Sequence, residues 1–213
     1  MPEFPQLYEA ILNGNAKAAH TATQSALDGG ATPLRIITRG MMPAMEEVGR
    51  LFEAEEYFVP ELLLSGRAMK SAMELLRPIM VASGEKLSTR VLIGTVKGDL
   101  HDIGKNIVAA MLEGGGFEVI DLGTDVPPET FLETVRTRQV NLVCLSTLLT
   151  VTMPAMRSTV EALKASEVGG RIKIMVGGAP VTERFAQQIG ADGYSDNAAA
   201  AVGMARRLSG VCA

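Results

Sequence analysis

Cysteine and histidine are scarce in this chain, with two of each among 213 residues. Two cysteines make no disulfide framework, and neither suits a nucleophile or a metal ligand: Cys144 lies inside an apolar strand pattern, and Cys212 sits beside the C-terminus. A formal net charge of −4, with both signs interspersed, leaves no basic patch for a phosphate backbone and argues against nucleic acid as a partner. The apolar runs fall far short of a membrane span, so no membrane association is expected. Met1-Pro2-Glu3-Phe4-Pro5 lacks the basic flank and apolar core of a secretory signal, which makes the cytoplasm the expected compartment. What is present, 47% hydrophobic and 21% charged residues, supplies one substantial core or two small ones.

Two regions differ in hydrophobic period. From Pro5 to Ser83 the pattern is helical: Leu7, Ile11 and Leu12 mark a first helix, and Asn15 caps a second that Gly29-Gly30 closes. A third begins at Thr32-Pro33 and runs to Phe52 with a break near Gly40 to Pro43, and a fourth starts around Pro60. Four helices with short connections predict a bundle over residues 1–86. Beyond it, over 87–213, strand and helix alternate. Strands are expected at Thr89–Val96, Glu118–Leu122, Leu142–Ser146, Ile172–Val176 and Asp192–Ser195, and helices at Gly104–Glu113, Pro128–Arg138, Met153–Ala165, Thr182–Ile189 and Asn197–Leu208. Five such units imply a doubly wound, parallel five-stranded sheet of Rossmann or flavodoxin type, hence an α/β fold.

The chemistry concentrates after the first strand, in Gly98-Asp99-Leu100-His101-Asp102-Ile103-Gly104. Loops at the carboxyl ends of parallel strands are where such folds bind ligands. Asp99 is close enough to take the distal imidazole proton of His101, fixing its tautomer and raising its basicity as a ligand. Gly98 and Gly104 allow a loop path that a Cβ would obstruct. His20, among Ala and Thr on a helix, is a solvated residue. No second or third protein ligand clusters with His101 as zinc would require, so a lone histidine points to a metal already held in a macrocycle. Ser146-Thr147-Leu148 and Gly177-Gly178 end the third and fourth strands, where small side chains would open a slot for a large flat ligand.

Taken in order, Asp99-x-His101-x-x-Gly104, Ser146-x-Leu148 and Gly177-Gly178 resemble the cobalamin-binding domain of corrinoid proteins and of cobalamin-dependent methionine synthase. Met45-Glu46-Glu47-Val48-Gly49-Arg50-Leu51-Phe52 and Tyr57-Phe58-Val59-Pro60-Glu61-Leu62 look like the helical cap that precedes this domain in methyltransferase corrinoid proteins. The resemblance implies cobalamin as the cofactor, alternating between methylcobalamin and cob(I)alamin, with His101 as the lower ligand to cobalt in place of the cofactor's own base. It implies a hydrogen bond from His101 to Asp99, a hydroxyl relay completed by Thr152, and a nucleotide tail lying along the loops of Ser146, Leu148, Gly177 and Gly178. Asp102, Ile103 and Gly104 belong to the same loop, and Phe52 and Val59 match the residues that cover the methyl group in the family.

The activity so implied is methyl carriage between a substrate:corrinoid methyltransferase and a corrinoid:acceptor methyltransferase, with tetrahydrofolate or a thiol such as coenzyme M as acceptor. A reductive activase and a homodimer are compatible with it, and Val81 to Ser88 would serve as the hinge that lets the cap swing aside. Two other readings share the motif. A mutase subunit would need a substrate-binding barrel, for which 213 residues leave no room, and its motif more often continues Asp-Arg-Gly than the Asp102-Ile103-Gly104 found here. A light-sensing module would carry a Trp and a Glu-His pair in the cap, whereas this chain has no Trp and Glu61 precedes Leu62.

Overall fold

The computed structural model describes residues 2–83 and 89–210. The expected domain boundary at 86/87, the hinge residues 84–88 and Cys212 lie outside the described residues. Two compact units emerge, one formed by Met1–Leu87 with Ala110–Gly116, the other by Ser88–Ala109 with Phe117–Ala213.

In the helical unit, α1 (Pro5–Leu12), α2 (Ala16–Asp28), α3 (Pro33–Ile36), α4 (Met42–Glu53) and α5 (Val59–Ser83) follow one another with short turns. Asn15 caps α2 by accepting the Ala18 N–H at 3.0 Å, and Thr32 caps α3 through the Arg35 N–H. The break expected near Gly40 to Pro43 is a π-helical turn, Ile37–Met41, that joins α3 to α4 without interrupting the helical path. Pro43 has no N–H to give and its ring crowds the preceding turn, and a wider turn relieves both. Ala19, Met41, Met45, Val48, Leu62, Met69, Met73 and Leu76 are buried here. The long, unbranched methionines fill irregular gaps between helices.

In the second unit, β1 (Arg90–Thr95), β2 (Glu118–Asp121), β3 (Leu142–Ser146), β4 (Lys173–Gly177) and β5 (Gly193–Tyr194) form one parallel sheet in the order β2-β1-β3-β4-β5. The helices α6 (Ile103–Gly114, counted with this unit up to Ala109), α7 (Pro128–Arg138), α8 (Met153–Ala165), α9 (Glu183–Gln188) and α10 (Ala198–Ser209) alternate with them. Strands whose middle residues are all buried, such as Val91, Leu92 and Ile93 or Leu142 to Leu145, need cover on both faces, which the crossover helices supply. Burial also pushes the Cys144 thiol up and out of reach of thiolate chemistry. The order reverses between β1 and β3. That is the switch point of a doubly wound sheet, and the loops leaving these two neighbours diverge to leave a crevice. Register pairs Thr95 with Ser146 and Ser146 with Gly177, so the ends of β1, β3 and β4 lie side by side.

Candidate functional site

The loop after β1 turns at Gly98, whose φ of +84° is a conformation that side chains resist, and reaches α6 two residues past His101. Thr95 donates to the His101 carbonyl at 2.9 Å and holds that residue's backbone over the sheet. The Asp99 carboxylate is buried, its side chain 1% exposed, and it is fully occupied. Its Oδ1 accepts the His101 Nδ1–H at 2.7 Å and the His101 backbone N–H at 3.1 Å. Its Oδ2 accepts the Leu148 N–H at 2.7 Å, the Thr147 hydroxyl at 2.9 Å and the Thr152 hydroxyl at 3.0 Å.

Burial pushes the Asp99 carboxyl up, but the Leu148 N–H, the His101 ring and backbone N–H and the Thr147 hydroxyl all bond its charged form. Together they hold it well below the usual carboxylate range. An ionised Asp99 can only accept, so the His101 proton sits on Nδ1 and the Nε2 lone pair is free to bind. Nε2 lies 3.1 Å from the Ser146 hydroxyl, which donates to it in this state. The His101 side chain is 13% exposed, largely but not wholly covered.

The structure thus brings Asp99, His101, Ser146 and Thr152 into one network. Thr147, passed over in sequence as the middle residue of Ser-x-Leu, belongs to it as a direct donor to Asp99. Nothing in spacing marks it, because only the pairing of β1 with β3 sets it against Asp99. Leu148 supplies its backbone to Asp99 and leaves its side chain exposed. Asp102 begins the turn into α6, its carbonyl accepting the Asn106 N–H at 2.7 Å.

The glycines part company with expectation. A Cβ at Gly104 would meet nothing within 4 Å, because this residue lies on the exposed first turn of α6, so the loop path does not demand it. Gly178, in contrast, has φ +124°, and a Cβ there would fall 1.9 Å from the Thr147 carbonyl oxygen. Its smallness lets the β4 loop close upon the β3 loop instead of opening a slot. Gly177 is likewise filled against, its added Cβ lying 3.1 Å from the Ser195 carbonyl oxygen. Phe52 is half-buried near the end of α4 in the helical unit, and Val59 is exposed at the start of α5 beside the more exposed Phe58.

Two B12 binding domain models match the chain, one over residues 89–203 and the other over 4–77. The chain belongs to the B12-binding corrinoid proteins. It is 39% identical to dimethylamine corrinoid protein 1 of Methanosarcina acetivorans, over 95% of both chains, and 38% identical to monomethylamine corrinoid protein 1 of Methanosarcina mazei, over 96% of both. Among solved structures it resembles the methanol:cobalamin methyltransferase complex MtaBC of Methanosarcina barkeri. That match has a TM-score of 0.84 and 30% identity, and covers 97% of this chain and 79% of that one. A cobalamin-binding protein of Desulfitobacterium hafniense matches with a TM-score of 0.80 and 33% identity over 98% and 99% of the two chains.

The residues present fit a corrinoid. Among the described residues, no three or more His, Cys, Asp or Glu come together to hold a metal ion. A metal bound at His101 therefore needs its other ligands from elsewhere, as a corrin ring provides. Around His101 the corrinoid protein exposes Leu100, Ile103, Leu148, Leu149 and Val151, with Leu100 and Val151 more than three-quarters exposed. Large apolar side chains set at loop tips gain by being covered, and a broad flat ligand would cover them. No helix among the described residues is long and apolar enough to cross a membrane.

Proposed function

We propose that this corrinoid protein carries methyl groups between two methyltransferases on a cobalamin bound through His101. The observation that supports it most directly is the Asp99 and His101 pair: a buried carboxylate holds the imidazole proton on Nδ1, which leaves the Nε2 lone pair as the one available to a ligand. When bound, cobalamin supplies a cobalt that accepts and releases a methyl group.

The chain's own residues govern how firmly that cobalt is held. Asp99 accepts the His101 Nδ1–H and so fixes which ring nitrogen carries the lone pair, while the Thr147 and Thr152 hydroxyls stabilise the carboxylate that does so. Ser146 offers Nε2 a hydrogen bond at 3.1 Å, so the ring has a partner when it is not a ligand. A histidine with two such states can be taken up and let go at modest cost. Gly98, Asp102, Ile103 and Gly104 belong to the loop edge on which the corrin would rest, and the tail would run along the Leu148 loop, with Gly177 and Gly178 bringing the β4 loop close against it.

The corrinoid protein needs catalytic partners for both half-reactions. Relatives named for dimethylamine and monomethylamine favour a methylamine:corrinoid methyltransferase as the donor-side partner, with a methanol enzyme as the alternative. Tetrahydrofolate or a thiol is the acceptor class, reached through a second methyltransferase, and a reductive activase would be a third partner.

Protein loaded with cobalamin and reduced to Co(II) tests the ligand assignment by electron paramagnetic resonance. With 15N-histidine in the protein, a 15N superhyperfine doublet is expected in the wild type and absent in His101→Ala, which separates the imidazole from the cofactor's own nitrogen base. The same coordination in both would overturn it. Methyl transfer in the dark from methyl-loaded protein to an acceptor methyltransferase tests the carrier role.

A further inference from the structure

The loop between β2 and α7 is hydrogen-bonded to the loop that bears the histidine. The Val126 N–H donates to the Thr95 carbonyl at 3.0 Å, the Thr95 N–H to the Gly123 carbonyl at 2.9 Å, and Val96 bridges Val126 in parallel register. The ladder between β1 and β2 thus continues past both strands, and at its end stands Asp125. Its Oδ1 accepts the Gly98 N–H at 2.7 Å, and its own N–H donates to the Asp99 carbonyl at 3.0 Å.

Asp125 adopts φ +55°, uncommon for any residue with a side chain, and Gly98 opposite it has φ +84°. Strain of this kind persists only where the surroundings over-determine it. Asp125 is exposed and adds nothing to the core, so packing does not explain it. What the conformation achieves is to aim a carboxylate and an N–H at two consecutive residues of one neighbouring loop.

We propose that Asp125 is a positioning residue for His101, clamping Gly98 and Asp99 so that the Asp99 carboxylate and the imidazole it orients hold their places. The proposal rests on the reading of His101 as the cobalt ligand. Asp99 is then held at both ends. Asp125 fixes its backbone from the β2 side, and Thr147, Thr152 and the Leu148 N–H fix its carboxylate from the β3 side.

The test uses two variants of the full chain. Asp125→Gly removes the carboxylate yet relaxes the left-handed backbone, and Asp125→Asn keeps an acceptor oxygen and tolerates the same φ. In cofactor-free protein, Gly98 amide exchange should quicken about tenfold in Asp125→Gly, the equivalent of one hydrogen bond, and stay near wild type in Asp125→Asn. The downfield His101 Nδ1–H resonance should broaden in the first variant and persist in the second. With cobalamin bound and Co(II) present, the splitting from 15N-labelled histidine should weaken in Asp125→Gly alone. An Nδ1–H signal and a histidine splitting that match in all three proteins would overturn the clamp, even with faster Gly98 exchange. A wild type without histidine splitting would instead overturn the cobalt-ligand reading, while the Nδ1–H signal still decides the clamp.

Discussion

Asp99 and Thr152 stand 53 residues apart in the chain, yet the Thr152 hydroxyl donates to Asp99 Oδ2 at 3.0 Å inside the fold. They meet because β1 and β3 are sheet neighbours whose ends are in register at Thr95 and Ser146. The buried carboxylate that orients His101 is therefore shared property of two loops, and changing it should disturb stability and ligand orientation together.

Asp99→Asn replaces one acceptor oxygen by an amide nitrogen that must face either the Leu148 N–H or the His101 N–H. The expected loss is about 1–3 kcal/mol in urea denaturation at neutral pH. Because folding lowers the Asp99 carboxyl, its stabilisation is complete above the ordinary carboxylate range and fades as pH falls through that range toward the folded value. The stability gap between wild type and Asp99→Asn should accordingly stay constant above about pH 5 and narrow below about pH 4. A gap that widens on acidification would contradict the assignment.

Gly104 and Gly178 should respond oppositely to alanine. Gly104→Ala meets nothing within 4 Å and lies in the first turn of α6, so it should stabilise the free protein by about 0.5–1 kcal/mol. Its methyl would crowd the proposed corrin edge and weaken cobalamin binding about tenfold or more, measured by titration. Gly178→Ala, whose Cβ would strike the Thr147 carbonyl, should destabilise the free protein by about 3 kcal/mol.

Lys105 is a buried cation on α6, its Nζ 2.5 Å from Asp121 Oδ2 and 2.7 Å from Asn106 Oδ1. Asp121 keeps more than a third of its side chain exposed, so the two partners are unequal. Lys105→Met leaves Asp121 to water and should cost under about 1.5 kcal/mol. Asp121→Ala strands the ammonium and should cost about 2–3 kcal/mol, less than for a fully buried pair because water screens this one. Urea midpoints that rank the two variants the other way would sink this account.

Much of the architecture was legible in local patterns. Period alone placed α7 at Pro128–Arg138 and α8 at Met153–Ala165, and marked the break in the helical unit that proves to be a π turn around Ile37–Met41. Hydrophobic spacing and proline chemistry act over a few residues, which is why they can be read along the chain. The same holds for Asp99 and His101, two positions apart on one loop, where the pairing is a matter of reach.

Sequence by itself determined the alternation of elements, the helical unit ahead of the sheet, and the loop that bears the histidine. Only the tertiary structure decided which residues stand around that loop. Strand order brings β3 beside β1 and sets Thr147 against Asp99, and a short ladder past the end of β2 sets Asp125 against Gly98. It also separated the two glycines, one facing solvent and one pressed against a carbonyl. Neighbours across a sheet depend on long-range pairing and register, and no spacing within a single strand or loop encodes them.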